Sequence, residues 1–223
     1  MNRSTCVEEL ASAIAAVCVS HPTRVAIDGV DGVGKTRLAD ELVAPLAAMG
    51  REVIRASVDG FHQPRATRYQ RGRDSAEGYF LDSFDYSAVT RELLNPLGPG
   101  GSRRCRTAVF DHRTDRSVDV GHQTAAENAI LLMDGVFLQR PELAGSWDFR
   151  IWVEAPFGVT VPRAVIRDAQ GPLEPGAVRA LYERRYVPGQ IMYLTQCGPR
   201  ESAHVVVNNA DLEHPELLFR QPA

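Results

Sequence analysis

Short apolar runs alternate with helical patterns along the chain, and this alternation is typical of a parallel sheet covered by helices. Residues 24–28 predict a buried strand, residues 35–49 a helix, and residues 52–58 a second, β-branched strand. Strand, helix and strand in this order form a βαβ unit, which predicts an α/β fold. The same pattern predicts further strands at 129–133, 149–153 and 205–207, and further helices at 5–19, 86–97, 162–169 and 176–196.

Three segments interrupt the alternation. Residues 60–85 are polar, aromatic and rich in arginine, and they are too long for a plain connection, so we expect them to be functional or partly helical. Residues 103–120, "RRCRTAVFDHRTDRSVDV", alternate enough to predict a hairpin outside the main sheet. Residues 170–176, "QGPLEPG", predict a flexible loop because they are rich in glycine and proline.

Composition narrows the class of protein. A chain of 223 residues with 44% hydrophobic residues suits one domain over residues 1–223. The net charge of −3 gives no basic field, so we expect no nucleic-acid partner. No run reaches the ~20 apolar residues of a membrane span, so we expect no membrane association. The four cysteines are scattered, which predicts neither zinc nor disulfides and favours the reducing cytoplasm.

The segment "VAIDGVDGVGKTRLADEL", residues 25–42, contains the pattern Gly29-x4-Gly34-Lys35-Thr36 of a phosphate-binding P-loop. Glycines let backbone N–H groups approach phosphate oxygens, and the helix that follows directs its N-terminus at the same anion. Lys35 is predicted to reach the β- and γ-phosphates, and the Thr36 hydroxyl to bind Mg²⁺. The predicted nucleotide-binding residues are Gly29, Asp31, Gly32, Val33, Gly34, Lys35, Thr36 and Arg37.

Two residues of the loop are unusual. Lys35 is the single lysine among 25 basic residues, and its compact ammonium differs from the planar guanidinium of arginine. Asp31 places a negative charge inside a loop that would hold phosphate. We expect its backbone N–H to face the phosphates and its side chain to point to solvent, without a catalytic role.

A P-loop serves several classes of protein, and missing motifs exclude two of them. A GTP switch reads guanine with an Asn-Lys-x-Asp segment, which a chain with Lys35 as its single lysine cannot contain. A transport ATPase carries an LSGGQ-like signature, which does not occur in this chain. A small-molecule kinase needs two further acids, one for the metal and one as a base near the acceptor hydroxyl.

Asp134 and Asp59 are the candidates for these acids. Asp134 ends the apolar run "AILLMD", beside the predicted P-loop, and is the predicted second Mg²⁺ ligand. Asp59 ends the second strand, where the carboxyl ends of parallel strands face a ligand crevice, and is the predicted catalytic base. Both acids precede glycine, so each has an alternative role as a turn residue. Asp82 and Asp85 are the alternative bases.

Arg163 and Arg167 lie four residues apart on one predicted helix face, next to the Gly/Pro loop. They are predicted to be lid arginines, catalytic because they neutralise charge on the transferring phosphoryl group. The alternative is a solvated helix in which they pair with Asp168 and its neighbours. Arg184 and Arg185 are expected at the surface.

The acceptor is expected to lie between residues 59 and 120, which contain aromatic, basic and hydroxyl-binding side chains. His112 lies on the predicted hairpin between Phe110 and Arg113 and is a candidate substrate contact, although a lone histidine is more often structural. The full set of predicted substrate-binding residues is Phe61, His62, Tyr79, Asp82, Phe110, His112 and Arg113.

Taken together, these pieces resemble the family that contains uridine kinases, phosphoribulokinases and bacterial pantothenate kinases, with the uridine kinases as the nearest group. The resemblance rests on "DGVGKT", "SVDGFHQP", "LDSFDY", "VFDHRTDR", "LLMDGVFL" and "RAVIRD", which occur in family order across residues 24 to 210.

The resemblance implies a P-loop three-layer sandwich with a parallel five-stranded core sheet, flanking helices and a small out-of-sheet hairpin. It implies one kinase domain with a donor site at 25–42, an acceptor region at 59–120 and a lid at 160–186. It also implies Mg²⁺ and ATP, a primary alcohol as acceptor, Asp59 as catalytic base, and Arg163 and Arg167 in the lid helix. Asp134 stands where uridine kinases usually carry glutamate.

The acceptor half departs from the uridine kinases. They usually carry a Tyr-Asp-Phe segment before the hairpin histidine, and this chain has "CRTAVFDH". We expect a nucleoside kinase that acts on the 5′-hydroxyl of uridine or cytidine. The alternatives are a kinase of pantothenate or a sugar-like metabolite, and an inactive nucleotide-binding regulatory module. The sequence leaves open the acceptor, ATP against GTP, regulation, and whether the chain forms a homo-oligomer.

Overall fold

The computed structural model describes residues 1–171 and 174–220, and it is built around one six-stranded sheet. The strand order is β10-β9-β8-β1-β7-β2, in which five strands are parallel and β10 is an antiparallel edge strand. The strands of this sheet are β1 (Thr23–Gly29), β2 (Val53–Ser57), β7 (Ile130–Gly135), β8 (Phe149–Glu154), β9 (Val205–Asn208) and β10 (Glu216–Phe219).

The central strands are buried along their whole length and mostly apolar, because both of their faces are covered. All residues of β1 and β7 are buried, including Asp28 and Asp134 near their carboxyl ends. The predicted parallel five-stranded core is therefore confirmed, and the sequence pattern missed only the edge strand β10. An edge strand pairs on one side and is half solvated, so its apolar signal is weak.

Helices flank the sheet and connect its strands. They are α1 (Arg3–Ala15), α2 (Lys35–Glu41), α3 (Val43–Ala48), α4 (Arg65–Arg68), α5 (Ala76–Asp82), α6 (Tyr86–Val89), α7 (Pro141–Ala144), α8 (Phe157–Asp168), α9 (Pro175–Leu181), α10 (Val187–Cys197) and α11 (Pro199–Ser202). A 3₁₀ turn spans Val58–Phe61, and π-helical turns span Thr90–Leu94 and Tyr182–Tyr186. No helix in the described ranges is long and apolar enough to cross a bilayer.

Two short ladders lie outside the main sheet, as the sequence predicts. The first joins β4 (Phe110–Asp111) to β5 (Arg116–Ser117), and the second joins β3 (Arg104–Cys105) to β6 (Gln123–Thr124). The polar segment before them also contains structure, because α4 and α5 occupy part of residues 60–85. The 3₁₀ turn contacts β4, so the ladder lies beside the carboxyl end of β2.

In the region predicted as the lid, one helix begins earlier than the sequence predicted. The helix predicted to start at Pro162 begins at Phe157, and Pro162 lies inside it. The Pro156 carbonyl accepts hydrogen bonds from the N–H groups of Val159 and Thr160, so the first turn is closed before the proline is reached. Pro162 then removes one later backbone donor only. Residues 172 and 173 of the predicted Gly/Pro loop lie outside the described residues.

The region predicted as the lid has a small apolar cluster of its own. Ala164 and Val165 of α8 pack against Val178 of α9 and against Tyr182, apart from the main core. The helix predicted over 176–196 is continuous but passes through the π-helical turn at Tyr182–Tyr186, immediately before Pro188. Pro188 lacks an N–H group, which explains why the regular hydrogen-bond ladder changes there.

Candidate active site

A cavity of about 700 Å³ opens where the carboxyl ends of β1, β2 and β7 meet. One part of its surface, here called the loop wall, consists of Gly32, Gly34, Lys35, Thr36 and Asp134. A second part, here called the acceptor wall because most of it comes from residues 59–120, consists of Asp59, His62, Arg68, Tyr69, Ser83, Phe84, His112, Arg113 and Arg185.

The loop between β1 and α2 has a conformation that only glycine tolerates at two positions. Gly32 and Gly34 have φ angles of +74° and +98°, in the left-handed region. A Cβ atom at Gly32 would lie 2.3 Å from the Thr160 carbonyl oxygen, and one at Gly34 would lie 2.7 Å from Asn209 Nδ2. The loop is therefore held against the lid helix on one side and against the end of β9 on the other.

Lys35 points back into the loop. Its Nζ donates a hydrogen bond to the Val30 carbonyl oxygen at 2.9 Å, and the side chain is buried. Burial lowers the pKa of Lys35 because it disfavours the charged form, while Asp31, Asp28 and Asp134 oppose this shift. The ammonium is thus placed inside the curve of the loop, where it could contact the phosphate oxygens of a bound nucleotide.

Thr36 and Asp134 bring two oxygen atoms together beside Lys35. The Thr36 hydroxyl donates to Asp134 Oδ2 at 2.6 Å, and Arg55 of β2 donates to Asp134 Oδ1 at 3.0 Å. The parallel register of β2 and β7 pairs Arg55 with Leu132, two residues before Asp134, and the loop after β1 brings Thr36, in the first turn of α2, to the same end of the sheet. A hydroxyl and a carboxylate are oxygen ligands of the kind that Mg²⁺ takes from proteins, together with substrate phosphates.

Neither the side chain nor the backbone N–H of Asp31 points where the sequence predicted. Its carboxylate accepts hydrogen bonds from Tyr79 Oη at 2.8 Å and from Gln190 Nε2 at 3.2 Å, so it does not point to solvent. Its backbone N–H donates to Gln190 Oε1 at 2.8 Å instead of standing free for phosphate. Burial raises the pKa of Asp31, and the neighbouring Lys35 opposes the shift. Asp31 therefore ties the loop to α5 and α10.

A second buried carboxylate lies beneath the loop. Asp28 at the end of β1 accepts hydrogen bonds from Tyr193 Oη, from Gln139 Nε2 at 3.3 Å and from the Gly29 N–H at 2.8 Å. Burial raises the pKa of Asp28 to about 6, and the hydrogen bond from Tyr193 and the charge of Lys35 limit the rise. These contacts fix the start of the loop to α10.

The predicted base Asp59 lies on the acceptor wall, in the 3₁₀ turn that follows β2. Its side chain is 63% exposed, and its carboxylate makes no short contact within the described residues other than one at 3.9 Å to His62 Nδ1. His62 Nδ1 lies 3.0 Å from the Asp59 carbonyl oxygen, which accepts a hydrogen bond from the Nδ1–H tautomer. Burial lowers the pKa of His62 to about 4, with Asp59 opposing and His112 and Arg68 adding to the shift. His62 is therefore neutral at pH 7, and its ring packs 4.6 Å from that of His112.

The predicted lid arginines line the cavity in two different states. Arg163 donates to the carbonyl oxygens of Asn209 and Ala210, at 3.0 and 2.7 Å, which ties α8 to the segment after β9. Arg167 pairs with its neighbour Asp168, Nε to Oδ1, at 2.7 Å, and its side chain remains 60% exposed. The pairing with Asp168 is the alternative that the sequence left open, and it coexists with a position on the cavity.

The structure brings most of the predicted site residues to this cavity. The predicted residues that line it are Asp31, Gly32, Gly34, Lys35, Thr36, Arg37, Asp59, His62, Tyr79, His112, Arg113, Asp134, Arg163 and Arg167. Five others do not line it. Gly29, Val33, Phe61 and Phe110 contribute to the loop backbone or to buried packing, and Asp82 pairs with Arg71 at 3.0 Å.

Several residues of the site were missed by sequence reasoning. Tyr182, Tyr186, Gln190 and Tyr193 follow each other at intervals of four, four and three residues and so lie on one face of a continuous helical segment. Gln190 and Tyr193 from this face hold Asp31 and Asp28. This spacing is visible in the sequence, and it could have predicted that the four side chains share one helix face. Arg68 and Arg185 gave no such signal, and Arg185, expected at the surface, is 3% exposed.

No protein-family model matches the chain, and no curated protein matches its sequence. Solved structures match it closely in three dimensions. A possible uridine kinase from Bacillus stearothermophilus superposes with a TM-score of 0.69 at 24% identity, over 90% of this chain and 96% of that one. A candidate fructose transport system kinase from Silicibacter sp. TM1040 superposes with a TM-score of 0.72 at 22% identity, over 85% and 94%.

A more distant match is a D-glycerate 3-kinase from Cryptococcus neoformans, with a TM-score of 0.57 at 12% identity, over 83% of this chain and 85% of that one. At these identities the likeness establishes the fold, because fold persists when the chemistry of a site has changed. The chain has the α/β fold of P-loop kinases, and the predicted resemblance to uridine kinase-like structures is confirmed at that level.

Proposed function

We propose that the protein is a kinase that transfers the γ-phosphoryl group of Mg-ATP to a hydroxyl of a small molecule. The observation that carries the proposal is the arrangement of one cavity, in which Lys35, Thr36 and Asp134 lie on the loop wall and the exposed carboxylate of Asp59 lies on the acceptor wall. A phosphoryl donor and an alcohol need these two kinds of surface at the same place.

The loop wall fits the phosphates and the metal of Mg-ATP. Lys35 would exchange its hydrogen bond to the Val30 carbonyl for phosphate oxygens, and Thr36 and Asp134 would hold Mg²⁺. When bound, Mg²⁺ neutralises charge that develops on the phosphoryl oxygens. Arg55 orients Asp134 through its hydrogen bond to Oδ1, while Oδ2 remains beside Thr36.

On the acceptor wall, Asp59 would receive the proton of the attacking hydroxyl. The oxygen of that hydroxyl forms the new bond to phosphorus while the bond to the leaving oxygen breaks. His62 donates its Nδ1–H to the Asp59 carbonyl, so its Nε2 is an acceptor that would orient a second polar group of the substrate. The lid helix, with its own apolar cluster, would bring Arg163 and Arg167 toward the phosphates and exclude water.

The acceptor predicted from the sequence is a nucleoside, and the rings of Tyr69, Phe84 and His112 on the acceptor wall support it because a base needs flat surfaces to stack on. The solved structures that share the fold suggest a wider range of acceptors, since they include a candidate fructose transport system kinase and a D-glycerate 3-kinase. A sugar-like or carboxylated alcohol is therefore the second acceptor class.

An acceptor screen tests the proposal. ADP release is measured with Mg-ATP and uridine, cytidine, pantothenate, D-glycerate or a hexose, against the rate without acceptor. We expect at least one alcohol to raise ADP release at least tenfold, and the phosphorylated product to appear by mass spectrometry. The alternative, a regulatory module that binds nucleotide without transfer, predicts ATP binding by calorimetry with no acceptor-dependent turnover, and that outcome would refute the kinase.

A further inference from the structure

The acceptor wall carries more positive charge than its own carboxylates balance. Arg68, Arg113 and Arg185 line it, and Asp59 is the carboxylate among its residues. Asp31 and Asp168 line other parts of the same cavity, where Asp31 is held by Tyr79 and Gln190 and Asp168 pairs with Arg167. A neutral acceptor such as a nucleoside gives no reason to bury arginines, because an unpaired buried charge costs several kcal/mol or more. The environment of each arginine therefore needs a separate explanation.

Arg185 is 3% exposed and makes no ion pair with any described residue. Its Nη1 donates to the carbonyl oxygens of Arg73 at 2.8 Å and of Ser75 at 3.3 Å, which bind an arginine without neutralising it. Its guanidinium lies over the rings of Tyr69 and Tyr79, at 5.1 and 5.7 Å from their centroids. These contacts hold the group in one orientation, and its other nitrogens make no hydrogen bond within the described part of the chain.

Arg68 is 9% exposed, and its Nε is buried without a hydrogen-bond partner among the described residues. Its Nη2 reaches Asp115 Oδ1 at 3.2 Å, so one edge of the guanidinium is paired and another is not. Arg68, His62 and Asp59 line the same cavity. Burial lowers the pKa of His62, and the charge of Arg68 adds to that shift. A buried N–H donor without a hydrogen-bond partner is unfavourable, so a ligand in the cavity that supplies an acceptor would bind there.

Neighbouring arginines in the same segments are paired in the ordinary way. Arg71 lies 3.0 Å from Asp82, and Arg184 lies 3.6 Å from Asp74 with its side chain 67% exposed. Neither of them lines the cavity. Arg185, which has no ion pair among the described residues, and Arg68, whose Nε has no partner beside its pair with Asp115, are therefore the two that line the cavity with donors left over. Neither is needed for a triphosphate that the loop wall and Arg163 and Arg167 would hold.

We propose that the acceptor is an anionic alcohol, whose carboxylate or phosphate monoester binds Arg68 and Arg185 while its hydroxyl lies at Asp59. Planar guanidinium groups suit both anions because they offer parallel N–H donors. Arg113, which is exposed at the rim, adds charge that attracts such an acceptor. This inference rests on the proposed kinase function and names the class of its substrate.

Matched pairs of acceptors test the charge directly. Pantothenate is compared with panthenol and D-glycerate with glycerol for the carboxylate, fructose 6-phosphate with fructose for the phosphate, and uridine serves as a neutral nucleoside. We expect one anionic member to exceed its neutral partner at least tenfold in kcat/KM, since a hydrogen bond to a charged group contributes about 1.5–3 kcal/mol. Efficient turnover of uridine or another neutral alcohol, with no preference for either anion, would overturn the inference and leave the kinase intact.

Substitutions of the two arginines test whether they cause the preference for an anionic acceptor. Arg185→Gln and Arg68→Gln should reduce kcat/KM for the anionic acceptor roughly tenfold or more and leave its neutral partner within about threefold. Arg185→Lys should restore part of the loss because it keeps the charge. Arg184→Gln and Arg71→Gln are the matched controls, and equal losses in those variants would contradict the assignment.

A binding experiment decides the subsite even without turnover. Wild type is loaded with Mg²⁺ and β,γ-methylene ATP, which fills the loop wall, and is then titrated with inorganic phosphate and with acetate by calorimetry. We expect at least one anion to bind, with at least tenfold weaker binding in Arg185→Gln and Arg68→Gln but not in Arg184→Gln. Absence of binding, or binding that the variants leave unchanged, overturns the inference. Failure of every acceptor in the turnover assay refutes the proposed function instead.

Discussion

The loop wall and the acceptor wall of the cavity differ in how completely their charged groups are paired. On and beneath the loop wall, Lys35 contacts the Val30 carbonyl, Thr36 contacts Asp134, and Asp31 is held by Tyr79 and Gln190. On the acceptor wall, the carboxylate of Asp59 is largely exposed, and Arg68 and Arg185 keep unpaired donors.

This difference separates two tasks. A wall whose groups are held by internal hydrogen bonds keeps them in place for one constant ligand, here the proposed triphosphate, which would replace contacts made within the wall itself, such as that of Lys35 to the Val30 carbonyl. A wall with unpaired buried donors is incomplete until a matching ligand arrives, so it discriminates strongly against ligands that leave those donors unpaired. Under the proposed function, the first wall would contribute to the rate of transfer and the second to the choice of acceptor.

The largest expected effect lies on the loop wall. Lys35→Ala should reduce kcat/KM for ATP by roughly 10²–10³-fold, because a preorganised positive charge at the transferring phosphoryl group is lost. Lys35→Arg should not rescue activity, since the planar guanidinium does not fit where the ammonium contacts the Val30 carbonyl. Steady-state kinetics with the best acceptor measure both variants. Turnover within about threefold of wild type for Lys35→Ala would remove the contrast between the walls.

On the acceptor wall, Asp59→Asn should lower kcat about 10²-fold, because the attacking hydroxyl loses its base. The affinity for ATP, measured by calorimetry, should change less than about threefold, since Asp59 is not part of the loop wall. Asp82→Asn is the matched control, because Asp82 pairs with Arg71 away from the cavity. Loss of activity in Asp82→Asn and not in Asp59→Asn would move the base to the residue that the sequence left as the alternative.

Two buried groups, Asp28 beneath the loop wall and His62 on the acceptor wall, should make the stability of the fold depend on pH with opposite signs. The folded-state pKa of Asp28, about 6, lies above its ordinary 3.8, so the folded protein binds the extra proton and this group's stabilisation declines as pH rises from about 4 to 6. The folded-state pKa of His62, about 4, lies below its ordinary 6.5, so the unfolded chain binds the extra proton and stability increases with pH over about 4 to 6.5.

Urea unfolding between pH 4 and 6.5 measures both contributions, which are at most about 3 kcal/mol for Asp28 and about 3.4 kcal/mol for His62 at 1.36 kcal/mol per pKa unit. The free energy of unfolding should increase more steeply with pH in Asp28→Asn than in wild type. In His62→Gln it should increase less steeply than in wild type. Asp119→Asn, at a side chain that is 83% exposed, is the control and should follow wild type. Parallel pH profiles for all three variants would show that neither buried group governs the stability.

The smallest effect is expected in the lid. Arg167→Gln should lower kcat roughly tenfold while ATP affinity stays within about threefold, because the exposed guanidinium would meet the phosphoryl group only on closure. Arg179→Gln, on the exposed face of α9, is the control. If both variants keep wild-type kcat, the pairing of Arg167 with Asp168 is its whole role, which is the solvated-helix alternative.

Local patterns in the sequence predicted the strands of the sheet and the loop after β1. The apolar runs predicted the parallel strands, because a central strand is buried on both faces over its whole length. The glycines and Lys35 predicted the phosphate loop, because the conformation and the chemistry both lie within eight consecutive residues. The half-solvated edge strand β10 and the start of α8 before Pro162 were missed, since a one-sided strand and a proline beyond the first turn give ambiguous signals.

The sequence alone thus determined the sheet, the loop and the acids at the strand ends, all of which depend on neighbours along the chain. Tertiary structure alone decided the partners of the charged side chains. Asp31 meets Gln190 across 159 residues, and Arg185 meets the Arg73 carbonyl across 112. Burial and pairing over such separations depend on how the elements pack, and they turned an expected solvent-facing carboxylate and a surface arginine into parts of the site.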